Sequence, residues 1–79
     1  MSWTNYDTAL AYYSQGIAQE LKNPNRNFDL IGKMAFNAGG CTIDLGVRET
    51  FLRGARSAHK NAQSWGWLSR DLQYLTNFY

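Results

Sequence analysis

The sequence predicts an all-α protein, a compact single domain of about four short helices. Apolar residues recur at the helical period in several separate segments. Breaks that contain proline or glycine divide these segments, at Asn23-Pro24, at Gly39-Gly40 and at Gly66. A chain of 79 residues has room for one small domain, and no repeat or low-complexity stretch divides it further.

The first predicted helix begins at a cap made by Thr4 and Asp7. It ends before Pro24, because a residue that precedes proline disfavours the helical region. Gly16 lies inside this helix at a cost in helix propensity, which predicts a close contact there. Tyr12 points away from the apolar stripe. That stripe consists of Tyr6, Leu10, Tyr13, Ile17 and Leu21.

The second predicted helix runs from Phe28 to Ala38, with Asn27 as its cap. Its apolar residues cover more than half of the circumference, which is typical of a central helix. Phe36 stands on the narrow polar side. Gly39-Gly40 is expected to end the helix by supplying a residue in the left-handed region.

The third predicted helix spans residues 47–65, and either Thr42 or Asp44 caps it. Small residues recur along one side, at Gly54, Ala58 and Ala62, so we expect another helix to approach closely there. The expected neighbour is the helix that contains Ile31 and Met34. The full buried stripe is predicted to be Val47, Phe51, Ala55, Ala58, Ala62 and Trp65.

The last helix is predicted to open at Ser69 and Asp71, after a break at Gly66, and to run almost to Tyr79. It carries two apolar stripes about a quarter turn apart. We expect the first to dock the helix on the domain. The second is either partly exposed, as an interface, or buried as well, if the terminus curls under the first helix. The docking stripe is Leu68, Leu72, Leu75 and Tyr79; the second stripe is Trp67, Tyr74 and Phe78.

Bulk composition limits the class of protein. The only cysteine is Cys41 and the only histidine is His59, which excludes a disulfide within the chain and disfavours a structural zinc site. No apolar run resembles a secretory signal or is long enough to span a bilayer. A lone thiol suits a reducing compartment, so we expect a cytoplasmic protein.

Catalytic motifs are lacking, so the sequence predicts a protein that is not an enzyme and needs no cofactor or metal. Cys41 and His59 have no third group at a recognised spacing. The carboxylates are scattered, and Glu49 with Arg53 is an ordinary helix pair. Gly39-Gly40 is not followed by the Gly-Lys-Ser/Thr of a phosphate loop.

One alternative is a helix-turn-helix regulator that binds DNA. Ala35, Gly39 and Leu45 have the spacing of a small residue, a turn glycine and an apolar residue in that motif. The predicted recognition helix would offer Thr42, Asp44 and Arg48 to bases, although Asp44 would be repelled by phosphates. Gly40 and Gly46 also depart from the motif.

The leading prediction is a small binding protein that acts through protein–protein contacts. Aromatic residues are 15% of the chain, and Trp and Tyr dominate interface hot spots. The partner is a protein or ribonucleoprotein, or a second copy of the chain, rather than a membrane or free nucleic acid. The predicted contact residues are Trp67, Tyr74 and Phe78, then Tyr12 and Phe36. A basic face of Arg48, Arg53, Arg56 and Lys60 is a further candidate.

In its size, its aromatic content and its lack of catalytic residues, the chain is similar in type to the small inhibitors that phages make against host defence systems. The anti-CRISPR proteins are among these inhibitors. That resemblance implies an inhibitor that binds a larger host complex.

Overall fold

The computed structural model describes residues 3–76, and the side chains of residues 5–76. Four helices follow one another with no strand among them: α1 (Trp3–Lys22), α2 (Phe28–Gly39), α3 (Leu45–Asn61) and α4 (Trp65–Thr76). The predicted all-α fold is therefore confirmed. No helix in this part of the chain is long and apolar enough to cross a membrane.

Local sequence signals placed the start of α2 correctly at Asn27, and of the two predicted caps of α3 the structure has Asp44. The Asn27 side chain accepts a hydrogen bond from the Leu30 backbone at 3.1 Å, and the Asp44 side chain accepts one from Val47 at 3.0 Å. Each bond satisfies an amide that has no partner inside its helix. At the first helix the prediction was wrong, because α1 already includes Thr4, which was expected to precede it.

Helix ends departed further from expectation. Gly40 has a φ of −79°, in the ordinary right-handed region, so α2 ends without the predicted left-handed glycine. The left-handed residue is Gln63, with a φ of 57°, after the end of α3. The amides of Gln63 and Ser64 bond to the carbonyls of Lys60 and His59 at 3.1 and 2.9 Å, the pattern of a Schellman motif.

Because of this turn, the boundary between the last two helices lies earlier in the chain than predicted. Trp65 begins α4 instead of ending α3, and Gly66 lies in the first turn of α4 instead of in a break. Trp65 is consequently 61% exposed, and the prediction that it belongs to the buried stripe of α3 was wrong. Val47, at the other end of that stripe, is 38% exposed.

The core lies between α2 and α3, with α1 packed on α2 and α4 packed on α3. This order confirms α2 as a central helix. Small residues dominate the interior, since each allows a close approach of helix backbones. The buried apolar side chains are Ile31, Ala35, Ala38, Leu52, Ala55, Ala58 and Leu75.

Close helix contact occurs at a different glycine from the predicted one. Nothing lies within 4 Å of the position that a Cβ on Gly54 would take. A Cβ on Gly32 would instead lie on the ring of His59, so α2 and α3 meet there with no room for a side chain. Gly16 does make the expected contact, since a Cβ there would be 2.8 Å from the Met34 sulfur.

Candidate functional site

Trp67 lies at the centre of a cluster of aromatic and cationic side chains. Its ring is stacked on His59, with the centroids 5.7 Å apart and an angle of 23° between the planes. Phe36, from α2, meets the same indole edge-on at 5.8 Å. Trp67 therefore joins α2, α3 and α4 at one point, and it is half-buried.

Tyr74 extends this cluster outward along α4. Its ring lies edge-on to Phe36, with centroids 5.2 Å apart and an angle of 87°, a favoured arrangement of aromatic pairs. Half of Tyr74 remains exposed, at 51%. We call Phe36, Trp67 and Tyr74 the aromatic face. The structure thus brings together three of the residues predicted as partner contacts, from two helices.

The two other predicted contact residues are elsewhere or not described. Tyr12 lies on α1, is 73% exposed, and meets only Tyr13 among aromatic rings of the described residues, at 5.9 Å. It forms no part of the aromatic face. Phe78 falls outside the residues that the structure describes, as does Tyr79 of the predicted docking stripe.

Cationic side chains border the aromatic face. Arg70 places its guanidinium carbon 5.0 Å from the centre of a Trp67 ring, and the Lys33 ammonium lies 6.0 Å from one. Both distances fall within the range of cation–π attraction. Lys33 is also paired with Asp29 at 3.0 Å. One rim of the face is therefore positively charged, although Asp29 balances part of that charge.

Asp29 links α2 to the start of α4. The Ser64 hydroxyl donates a hydrogen bond to its carboxylate at 2.7 Å. That bond, and secondly the one from Lys33, hold the pKa of Asp29 below its usual value, because both favour the charged form. The contact fixes the segment that carries Trp65 and Trp67 against α2.

A buried polar pair lies beneath the aromatic face. The His59 Nδ1 contacts the Asp71 carboxylate, and both side chains are fully excluded from solvent. Burial raises the pKa of Asp71, because it penalises the carboxylate, while the hydrogen bond with His59 acts in the opposite direction. The pair connects α3 to α4 directly under the indole of Trp67.

These two residues correct the sequence interpretation. From the sequence, His59 had no partner at a recognised spacing, and Asp71 was expected at the opening of the last helix. The available signal was the spacing of Leu52, Ala55 and His59, which puts the histidine on the inner side of α3. Nothing in the sequence indicated that Asp71, twelve residues later, would be its partner.

A concave site adjoins the aromatic face. This pocket has a volume of about 300 Å³ and lies where α2, α3 and α4 meet. Two of the aromatic residues form part of its wall, and backbone from the end of α2 forms another part. Its lining residues are Phe36, Gly39, Gly40, Arg48, Leu52 and Tyr74.

The predicted basic face is divided by its hydrogen bonds. Arg48 donates from Nε to the Gly39 carbonyl at 3.1 Å and from Nη2 to the Thr42 carbonyl at 2.6 Å. It therefore holds the α2–α3 loop in place. Arg53 is paired with Glu49 at 2.7 Å. The side chains of Arg56 and Lys60 have no ion pair or hydrogen bond within the described part of the chain, and both line a groove between α3 and α4.

The residues that might have formed a nucleophile and its base are engaged separately. The Cys41 thiol donates to the Asn37 carbonyl, with a sulfur–oxygen distance of 3.3 Å. His59 is committed to Asp71 in the interior. Within residues 5–76, no three His, Cys, Asp or Glu side chains are grouped so that they could hold a metal ion.

Comparison with protein-family models, with curated proteins and with solved structures gave no match to this chain.

Proposed function

We propose that this chain is a binding protein that acts through protein–protein contacts, with the aromatic face as its principal contact surface. The observation that carries the proposal is the exposed ring of Tyr74, held edge-on against Phe36 at the mouth of a pocket of about 300 Å³. Aromatic anchors beside a concave apolar site are the usual composition of an interface hot spot.

The rigidity of this surface favours a binding role. Trp67 is fixed from below by His59 and from the side by Phe36, so little side-chain freedom is lost when a partner docks. Preorganisation of this kind raises affinity, because ordering side chains at an interface is costly. Arg70 and Lys33 add polar contacts at the rim, where a partner's carboxylates or carbonyls can meet them.

The partner in this proposal is a protein or ribonucleoprotein in the cytoplasm, or a second copy of the chain. Inhibition of a larger complex, as by the phage inhibitors of host defence, is one form that such binding takes. Arg48 argues against the alternative of a DNA-binding regulator. Two of its donor groups already bond to backbone carbonyls, and Asp44 stands at the start of α3, where a phosphate would otherwise bind.

Substitution of Tyr74 tests this proposal. Tyr74→Ala removes the exposed anchor, and Tyr12→Ala is the matched control, since Tyr12 is also an exposed tyrosine on a helix but lies outside the aromatic face. Wild type and both variants are used to capture partners from a nuclease-treated bacterial lysate, and sedimentation across a concentration series measures self-association.

We expect Tyr74→Ala to weaken a specific association at least tenfold, while Tyr12→Ala preserves it and circular dichroism shows the same helicity in all three proteins. Retention of every partner and of any dimer by Tyr74→Ala would contradict the proposal. So would a loss confined to Tyr12→Ala, which would place the interface on α1.

Salt-dependent binding tests the DNA-binding alternative. Phosphate contacts release counterions, so duplex binding through the basic residues would weaken steeply as salt rises. We expect no tight duplex binding at physiological salt in an electrophoretic shift assay on a library of DNA sequences. A sequence-dependent shift at sub-micromolar protein would favour the DNA-binding regulator instead.

A further inference from the structure

A second surface, separate from the aromatic face, lies in the groove between α3 and α4. Its volume is about 530 Å³. One wall comes from the solvent side of α3 and the other from α4. The lining residues are Arg56, Ser57, Lys60, Leu68 and Leu72. We call this the α3–α4 groove.

Positive charge on the α3 wall is not balanced within the described part of the chain. Arg56 and Lys60 are four residues apart on one helix face, where like charges repel each other. Arg53, one turn earlier, is neutralised by Glu49, but no carboxylate pairs with Arg56 or Lys60. The other carboxylates nearby are committed elsewhere, Asp29 to Lys33 and Asp71 to His59.

The α4 wall is apolar and incompletely covered. Leu72 is 44% exposed, and Leu68 is half-buried. Trp65, which shares this side of α4 by its helical spacing, is 61% exposed. The groove therefore combines a basic side with an apolar side.

The α3–α4 groove and the aromatic face lie on opposite flanks of α4. Asp71 and Leu75 are the buried residues of this helix, and they run between the two surfaces. Leu68 and Leu72 follow one flank, while Trp67 and Tyr74 follow the other. Of the predicted docking stripe, Leu75 is buried and Leu68 is half-buried, whereas Leu72 is 44% exposed. Asp71, which was not predicted to dock the helix, is the other buried residue of α4.

We infer that the α3–α4 groove binds an acidic amphipathic helix of a partner protein, with its carboxylates toward Arg56 and Lys60 and its leucine or phenylalanine side chains toward Leu68 and Leu72. Complementary charge and an apolar stripe are the features by which a helix is recognised in a groove. The inference does not depend on the aromatic face, because the two surfaces share no residue.

Two other occupants fit less well. Nucleic acid would pair with the cations, but its phosphates gain nothing from a wall of leucines. A second copy of this chain has little acidic surface to offer. The longest helix, α1, carries Asp7 and Glu20, and Glu20 already accepts a hydrogen bond from the Asn27 backbone at 2.8 Å. The uncompensated charge therefore favours a different protein that is acidic.

Selection from a displayed library of random helical peptides tests this inference on the full chain. Arg56→Glu with Lys60→Glu reverses the charge of the groove. Arg26→Glu with Lys22→Glu is the matched control, since it makes the same charge change at exposed positions near the end of α1. Selected peptides are then synthesised and titrated into isotope-labelled protein, with a short DNA duplex titrated in parallel.

The expected result is a set of peptides enriched in Asp or Glu on one side and in Leu or Phe on the other. The protein amide resonances that shift when these peptides are added should belong to α3 and α4 at the groove. Affinity should fall at least tenfold in the groove variant, fall less than threefold in the control, and decrease with salt. Tyr74→Ala should leave it unchanged, which separates this inference from the proposed function.

Four results would overturn the inference. The first is a set of selected peptides with no acidic enrichment, and the second is equal binding of the peptides to the charge-reversed variant and the wild type. The third is a set of shifts that map to the aromatic face or to α1. Binding of the DNA duplex at the same residues, more tightly than any selected peptide, would assign the groove to nucleic acid.

Discussion

The helices α1 and α3 are comparable amphipathic helices of 20 and 17 residues, yet they are packed very differently. No side chain in residues 5–22 of α1 is buried, whereas α3 buries Leu52, Ala55, Ala58 and His59. The reason is position, because α1 packs mainly on α2, while α3 lies between α2 and α4. Amphipathicity therefore predicts which side of a helix packs on the protein, but not what fraction of that side is buried.

The space between α1 and α3 also shows that the packed side of α1 is incompletely covered. An open groove of about 270 Å³ separates α1 from α3 above α2. Ile17 and Leu21 line it from α1, and Phe51 and Ala58 line it from α3. The α1 side chains that face α3 across this groove are large, whereas Ala55 and Ala58, two of the buried residues of α3, are small and allow a close approach of α2. We therefore expect the free energy of unfolding to depend mostly on α2, α3 and α4.

The largest expected effect comes from His59→Leu. This change removes the partner of a fully buried carboxylate, and such losses cost about 3–5 kcal/mol. Leu21→Ala in α1, at a residue that is 44% exposed, should cost less than about 1 kcal/mol. Urea denaturation followed by circular dichroism measures both. Equal losses in the two variants would remove the distinction between the regions.

The pH dependence of His59→Leu provides its control. Burial raises the pKa of Asp71, and the variant lacks the histidine bond that opposes this rise. A group whose pKa is raised by folding stabilises the folded state at pH values below its unfolded pKa. This stabilisation is lost as pH rises through the folded pKa. The loss caused by His59→Leu should therefore be smaller at pH 4 than at pH 7. A loss that is independent of pH would point to packing alone.

The next largest effect is a difference in stability among alanine variants of three helical glycines. Gly32→Ala would place a methyl group on the buried His59 ring and should cost about 1–3 kcal/mol. Gly54→Ala meets nothing within 4 Å and should stabilise the protein by up to about 1 kcal/mol through helix propensity. Gly16→Ala faces the flexible Met34 and should fall between them. Thermal melting gives the order, and a stabilising Gly32→Ala would disprove the tight α2–α3 contact.

The smallest expected effect concerns the hydrogen bond from Ser64, just before α4, to Asp29 in α2. Ser64→Ala removes the hydrogen bond that is the largest single cause of the lowered Asp29 pKa, so this pKa should rise toward its usual value. A group whose pKa is lowered by folding stabilises the folded state at pH values above its unfolded pKa. This stabilisation is lost as pH falls through the folded pKa. The variant and the wild type should thus converge in stability in acid. Carboxylate NMR titration measures the shift; an unchanged Asp29 would show that the Ser64 bond is not formed in solution.

Much of the fold could be predicted because its signals are local. Asn27 and Asp44 cap helices through bonds to amides only three residues away, and Pro24 follows soon after the end of α1. The candidate site was predicted in part. Trp67, Tyr74 and Phe36 were each recognised as aromatic residues outside the expected core, but their meeting at one point was not foreseen.

The number of helices, the Asn27 cap and the central place of α2 follow from the sequence, because periodicity and capping act within a few residues. The left-handed conformation of Gln63, which moved the boundary between α3 and α4, depends instead on the packing of the folded chain. So do the meeting of His59 with Asp71 beneath Trp67 and the close helix contact at Gly32 rather than Gly54. These outcomes depend on which helix faces lie opposite one another, and the free energy of that choice is summed over contacts between residues far apart in the chain.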